Sequence, residues 1–354
     1  MPGVTGSGHP ETPRDDSGTS GRRAWIWRVG GLAVSVIALL VVVNSVDVFE
    51  AFDIMAQADL RFLGAILVVM VGQFLVRGWR WRILLPPRPD GHQVPISRTI
   101  APMLAGYLGN AVLPARLGEP IRAFLVARRE QLDTLAAFGA TVLERMVDTV
   151  TLALIGLIAA LALSAEWWII VVGAAVGLGG LVMLGLLVAV GLTRMADLFG
   201  TVLERLGLHE RTVRIQRWAR SFATGVDRGR DVGRLLKALV LSVVAWVLDA
   251  LVFWLAAMAL GIDLDYPAAI IIGAVSVLST AIPAAPGYVG TFELAATATG
   301  AAVGVPRAEA LAMAIVVHVV TLLPLAVAGA VAVVATGTNL GRLAEEAEEA
   351  EHVA

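Results

Sequence analysis

Six stretches of the 354-residue chain are apolar for about the length a helix needs to cross a bilayer: 27–46, 60–75, 134–163, 169–192, 238–260 and 308–335. An α-helix spans the hydrocarbon core with about 20 apolar residues. Lipid offers the backbone no hydrogen-bonding partner, so runs of this kind fold as helices. A transmembrane β-barrel would show short alternating segments instead. Composition agrees, with 58% hydrophobic residues and 16% charged, where soluble domains carry about 25% charged residues. The expected fold class is all-α, a polytopic integral membrane protein. The chain has no cysteine, which excludes disulfides, thiol nucleophiles and cysteine-held metals. A net charge of −2 gives no sign of a nucleic-acid partner.

The polar segments set the topology. Residues 1–23, rich in Gly, Ser, Thr and Pro, read as a disordered cytoplasmic segment ahead of a transmembrane domain over 24–337. Arg77, Trp79, Arg80, Trp81 and Arg82 read as an interface anchor at the cytoplasmic end of the second span. Residues 193–237 carry nine arginines and Lys237 against five acids, a basic amphipathic connection suited to the cytoplasmic surface. Residues 47–59 and 262–266 are acidic and fall outside, and 338–354 form an acidic cytoplasmic tail. The expectation is a multi-pass protein of the cell membrane with both termini in the cytoplasm.

Two further apolar segments, 97–130 and 268–304, are broken by Gly and Pro. If each enters and leaves on one side, six helices cross fully and two re-entrant hairpins point at each other from opposite faces, as an inverted repeat would produce. If each instead crosses twice as short helices, the loop charges sort equally well.

Charges gather around the first break, which runs Asn110-x-x-Leu113-Pro114-x-Arg116-x-Gly118-Glu119-x-x-Arg122. A charge at the bilayer centre costs roughly 2.5–3.5 kcal/mol on insertion scales, so it is retained where it is paired or lines a polar cavity. Pro120 suits the first turn of a returning helix, with Glu119 near its positive end. The next span carries Glu144, Arg145 and Asp148 at helical spacing. Arg116 or Arg122 pairing with Glu144 or Asp148 leaves Arg145 to meet Glu119 or an external anion, and arginine grips phosphate through two parallel hydrogen bonds. Alternatively, all these charges neutralise one another and merely pin helices. The second break repeats the ingredients, with Pro283, Pro286, Gly287, Gly290 and Glu293. Asp249 and His318 stand alone on apolar spans, and His318 reads more readily as a packing residue than as a proton carrier. The spacings Gly173/Gly177 and Gly300/Gly304 read as close helix contacts.

These strings, with Glu144-Arg145-x-x-Asp148 and Pro286-Gly287-x-x-Gly290-x-x-Glu293, resemble the flippase-like family named for the transmembrane region of lysylphosphatidylglycerol synthases. The resemblance covers roughly 25–337. It implies a lipid-translocating helical domain, with the motif residues Asn110, Pro114, Arg116, Gly118, Glu119, Arg122, Glu144, Arg145, Asp148, Pro286, Gly287, Gly290 and Glu293 forming the lipid path. In the full-length synthases an aminoacyl-transferase domain follows. Here only a short acidic tail does, so synthase activity is not expected of this polypeptide, and glycolipids and polyprenyl-linked sugars join aminoacylated lipids as candidate cargo.

The leading expectation is therefore translocation of an anionic phospholipid or lipid-linked precursor between leaflets. No Gly-Lys-Ser/Thr loop for ATP is present, and the expected mode is ATP-independent, non-enzymatic and without cofactor or metal. The alternative is an integral-membrane enzyme using a polyprenyl-phosphate-linked sugar, with Asp47, Glu50, Asp53 and Asp59 as its acids; the shortness of both outer loops argues against it. An accessory subunit ranks last. Membrane lipids are the expected partners, and a homodimer or a separate lipid-modifying enzyme would be compatible protein partners.

Overall fold

In a computed structural model, the described residues are 17–113, 117–194, 197, 209–282 and 284–336, with side chains described from residue 30 onward except at 209–215. Twelve α-helices follow in order among them. They are α1 (Ser17–Ser45), α2 (Val48–Ala56), α3 (Leu60–Leu84), α4 (Ile96–Val112), α5 (Gly118–Glu130), α6 (Thr134–Ala162), α7 (Trp167–Val190), α8 (His209–Val226), α9 (Val232–Ala259), α10 (Tyr266–Ser279), α11 (Thr291–Ala302) and α12 (Arg307–Ala335). Short 3-10 turns lie at Asp227–Arg230 and Pro286–Tyr288. The all-α polytopic class holds.

Five helices (α3, α6, α7, α9 and α12) are long and apolar enough to cross a membrane, and α1 with α2 makes a sixth candidate bent by 84°. Helix α1 starts at Ser17, inside the stretch read as a disordered leader, while residues 1–16 and the acidic tail lie outside the described residues. Helix α2 was missed in the acidic segment. It starts because Asp47 accepts the backbone N–H groups of Phe49 and Glu50, and it exposes Phe49 and Phe52, the form of a helix lying in a membrane interface.

Hydrogen bonds at the helix ends sort the loops into two faces. On one, Arg98 at the start of α4 reaches Glu130 at the end of α5, and Asp227 accepts from the backbone N–H of Leu192 and Thr193 past the end of α7. On the other, Asp59 N–H donates to Ala259 O and Arg307 donates to Ser45 O. The first face is the arginine-rich one. Within 193–237, α8 packs on α6, with the Phe138 and Phe222 rings 5.9 Å apart.

Helices α4 and α5 form one hairpin from the arginine-rich face, and α10 and α11 form another from the opposite face. Their helices have 12 to 17 residues, about 18–26 Å at 1.5 Å per residue, against roughly 30 Å of hydrocarbon. The tips meet inside the bundle: a Cβ on Gly287 would sit 3.6 Å from the Ala111 carbonyl oxygen. Each hairpin thus has both ends on one face and its tip inside the bundle, the form expected of a re-entrant segment.

Both tips are shaped by glycine. A Cβ on Gly118 would lie 2.0 Å from Gly106 O and 2.5 Å from Asn110 Oδ1, so only glycine lets α5 return this close to α4. Gly287 and Gly290 adopt φ of 71° and 93°, where side chains are strained, and a Cβ on Gly290 would meet Ser35 O at 2.6 Å. Ser35 of α1 also accepts from Ala285 N–H at 2.8 Å, so α1 clamps the second tip. Gly173 and Gly177 do seat α7 on Leu157 and Leu154 of α6. Gly300 packs on Ala310, whereas Gly304 is a turn residue at φ 94° with open space around it.

Candidate functional site

Four arginines and four carboxylates occupy the bundle interior around the first hairpin. Helix α6 supplies two of the acids. Glu144 and Asp148 are four residues apart and both buried, roughly 15–20 Å along the helix from its first residue. Their main partner is Arg80, fully buried. Its Nη2 donates to Glu144 Oε1 at 2.6 Å and Asp148 Oδ2 at 2.8 Å. Its Nη1 donates to Ser242 Oγ of α9 at 2.9 Å and also to Asp148 Oδ1. This is the planar, bidentate geometry that suits a guanidinium.

Arg122, four residues into the return helix α5, donates to Glu144 Oε2 at 2.7 Å. Its guanidinium lies 4.9 Å over the Trp81 ring, and Trp81 is itself fixed by its Nε1–H to Thr141 Oγ1 at 3.0 Å. Desolvated stacking of this kind adds about 1–2 kcal/mol. A second cluster lies on the α3–α9 contact, where Asp249 accepts from Gln73 at 2.5 Å and faces Arg77 at 3.6 Å. Arg77 stacks on Trp246 at 4.8 Å.

Arg145 is held differently. It is 34% exposed and reaches Asp148 Oδ2 at 3.4 Å and Glu144 Oε1 at 3.7 Å, both oxygens that already accept from Arg80. Its Nε has no hydrogen-bond partner among the described residues. Glu119, in the first turn of α5, acts on Arg145 electrostatically, and its buried Oε2 accepts no hydrogen bond among them either.

Of the pairings left open between Arg116 or Arg122 and Glu144 or Asp148, Arg122 with Glu144 is present. Asn110 serves the hairpin itself, its Oδ1 accepting the Gly118 N–H at 2.9 Å across the break. Pro114, Arg116 and Pro283 lie outside the described residues. Arg80 and Trp81 were read as an interface anchor. That reading is corrected: α3 runs on to Leu84 and buries both, and only Trp79 of the pair of tryptophans faces outward, 54% exposed. The signal that could have found Arg80 was Asp249 and the acid pair of α6, which needed more buried cations than 97–130 supplies.

The second hairpin carries a separate cluster. Glu293 Oε2 accepts the Gly290 N–H at 2.7 Å, and its Oε1 meets His318 Nδ1. His318 Nε2 lies 2.7 Å from Gly287 O, and the imidazole packs 4.6 Å from the Phe292 ring. His318 thus ties α12 to the hairpin tip. Pro286, Gly287 and Gly290 shape that tip.

The carboxylates assigned to the enzyme alternative lie elsewhere. Asp47 and Asp59 cap α2 and α3. The face opposite the arginine-rich one also holds a cavity of about 540 Å³, lined among others by Ser164, Glu166, Asp263 and Asp265.

Broken hairpins around buried ion clusters define the chain as a polytopic membrane protein. The chain belongs to the family of the lysylphosphatidylglycerol synthase transmembrane region, whose model matches residues 28–329. It is also 27% identical, over 91% of its length, to the glycosyltransferase AglD of Haloferax volcanii. The chain spans 56% of that relative's length. The expectation of a non-enzymatic protein is corrected by this relative, which is named as an enzyme and aligns with nearly all of the chain.

Proposed function

We propose that this protein binds the phosphate of an anionic phospholipid or a polyprenyl-phosphate-linked precursor at Arg145 and passes the headgroup between the leaflets of the cell membrane. The observation that carries the reading is the position of Arg145. It is the half-exposed guanidinium of the cluster, and the carboxylate oxygens beside it already accept from Arg80. A phosphate would take up donors that the protein leaves poorly used, in a medium where a charged hydrogen bond is strong. Glu119 supports the reading: its buried Oε2 accepts no hydrogen bond among the described residues and is suited to accept from a headgroup amine or hydroxyl. The acyl or prenyl chains stay in lipid. The basic connection 193–237 then faces the cytoplasm, with both termini on that side.

A second reading is favoured by the name of the relative and by the acid-lined cavity on the opposite face. In it, the same phosphate site holds a lipid-linked sugar for glycosyl transfer. Leaflet exchange in liposomes tests the first reading: labelled anionic phospholipids and polyprenyl phosphates should exchange faster than in protein-free vesicles, and Arg145→Ala and Glu119→Ala should both lose the gain. Sugar transfer from a polyprenyl-phosphate donor without any leaflet exchange would favour the second.

A further inference from the structure

We infer that the His318–Glu293 pair is a proton-binding site that couples lipid movement to a transmembrane proton gradient, an inference that rests on the translocation reading above. The argument is a count of hydrogen atoms. Gly287 O can only accept, so His318 Nε2 must carry a hydrogen to bond it at 2.7 Å. Glu293 Oε2 is engaged by the Gly290 N–H. The remaining contact joins His318 Nδ1 to Glu293 Oε1. With Nε2 protonated, Nδ1 of a neutral imidazole is an acceptor. A bonded pair therefore needs one more proton, either on Nδ1 as imidazolium beside carboxylate or on Oε1 as carboxylic acid beside neutral imidazole. Remove it, and a nitrogen lone pair faces a carboxylate oxygen at bonding distance with no hydrogen between them.

The surroundings make that proton consequential. Both side chains are about 10% exposed, and they sit beside the apolar cluster of Phe253, Phe292, Ala314 and Val317, so water does not substitute for it. The imidazole packs 4.6 Å from the Phe292 ring centroid. Glu293 is the ionisable side chain bonded to the imidazole. From the other elements packed on α12, the titratable or charged groups are paired, terminal or phenolic. Asp249 of α9 and Arg77 of α3 face each other, and Arg80 of α3 is bonded to Glu144 and Asp148. Arg61 and Arg82 of α3, Arg98 of α4, and Arg234 and Lys237 of α9 lie toward helix ends. Glu50 and Asp53 lie on α2, and Arg307 and Glu309 begin α12. Tyr107 of α4 and Tyr288 of the tip are phenols.

What the proton holds is the tip itself. Gly287 is the residue that meets Ala111 of the opposing hairpin, so loss of the proton loosens the junction between the two halves of the path. Proton gain and release on opposite sides of the membrane would then alternate access to the phosphate site.

The test uses full-length protein in liposomes of mixed zwitterionic and anionic phospholipid. Exchange of a labelled anionic phospholipid is followed with and without an imposed pH gradient, and a trapped pH dye follows proton entry. Coupling of one proton per lipid predicts a steady-state leaflet asymmetry of up to about tenfold per pH unit, with proton entry that depends on lipid. Glu293→Gln can keep both contacts, its amide donating to Nδ1 and its oxygen accepting from Gly290, but the amide does not titrate. The ratio of exchange with the gradient to exchange without it should fall to one in E293Q and in His318→Gln, with thermal unfolding in detergent confirming that E293Q is folded. Exchange that ignores the gradient in wild type, or folded E293Q that still responds to it, overturns the proton site and leaves the translocation reading standing. No exchange under any condition overturns both.

Discussion

The two hairpins are built alike and charged differently. Each begins its return helix at a glycine that no other residue could replace without displacing backbone: Gly118 in the first, Gly290 in the second. Each return helix is bonded to the next span by one buried pair, Arg122 to Glu144 in the first and Glu293 to His318 in the second. The pairs are separated by 22 and 25 residues, as an inverted repeat would place them. The first hairpin then gathers Arg80 and Arg145 around its acids. Guanidinium stays charged at any physiological pH, so that cluster is a fixed field. The second uses imidazole, the side chain whose charge can change between about pH 5 and 8. The same scaffold thus holds a permanently charged cluster of arginines and carboxylates at one hairpin and an imidazole contact at the other.

The comparison breaks most severely at Arg80. Arg80→Ala leaves Glu144 and Asp148 buried with one firm cation between them, and loss of one member of a buried pair costs about 3–5 kcal/mol. Thermal unfolding in detergent should show a variant that barely accumulates or unfolds far below wild type. A variant as stable as wild type would mean that Arg122 and Arg145 suffice and that the field is not organised by α3.

That residue also marks the limit of what the sequence discloses. The spans and both breaks are legible because they follow from helical period and from glycine and proline, and the cost of an unpaired charge in lipid narrows the pairings to a few, of which Arg122–Glu144 is one. Arg80 was not legible, because Arg beside Trp at a span end has the composition of an interface anchor, and only packing against α6 and α9 separates a buried arginine from a surface one. The partners of His318 were hidden for a related reason: Glu293 and Gly287 are remote in sequence and meet it only once the hairpin folds back. Helix α2 was hidden by acids at both ends, of which Asp47 is its cap.

The shared architecture is sharpened by glycine. Gly118→Ala and Gly290→Ala should each cost about 1–3 kcal/mol, from overpacking at the first and from overpacking with left-handed backbone at the second. Similar losses in thermal unfolding would support equivalent hairpins. A loss confined to one would break the equivalence.

A smaller effect separates the two hairpin tips. Hydrogen exchange over 284–290 should be faster in His318→Ala, which removes the partner of Gly287 O and of Glu293, while amides of α5 and of α6 near Glu144 should show no change. Equal changes in both would mean that the two hairpins are not held independently.

The smallest effect lies outside the spans. The Asp231 carboxyl caps α9 and is held below its usual range first by the Arg234 backbone N–H and then by the charge of Arg234. A depressed carboxylate contributes stability above its unfolded pKa and loses it as pH falls through the folded value. Asp231→Ala should therefore unfold slightly earlier at neutral pH, and the difference should vanish in acid.

The most direct test of the central claim is leaflet exchange of anionic lipid by Arg145→Ala in liposomes. Arg145 is half-exposed and loosely held, so the variant should fold with near wild-type thermal stability and lose the exchange that wild type shows above protein-free vesicles. Wild-type exchange persisting in a folded Arg145→Ala protein would contradict the account, because the phosphate would then be held somewhere other than this cluster.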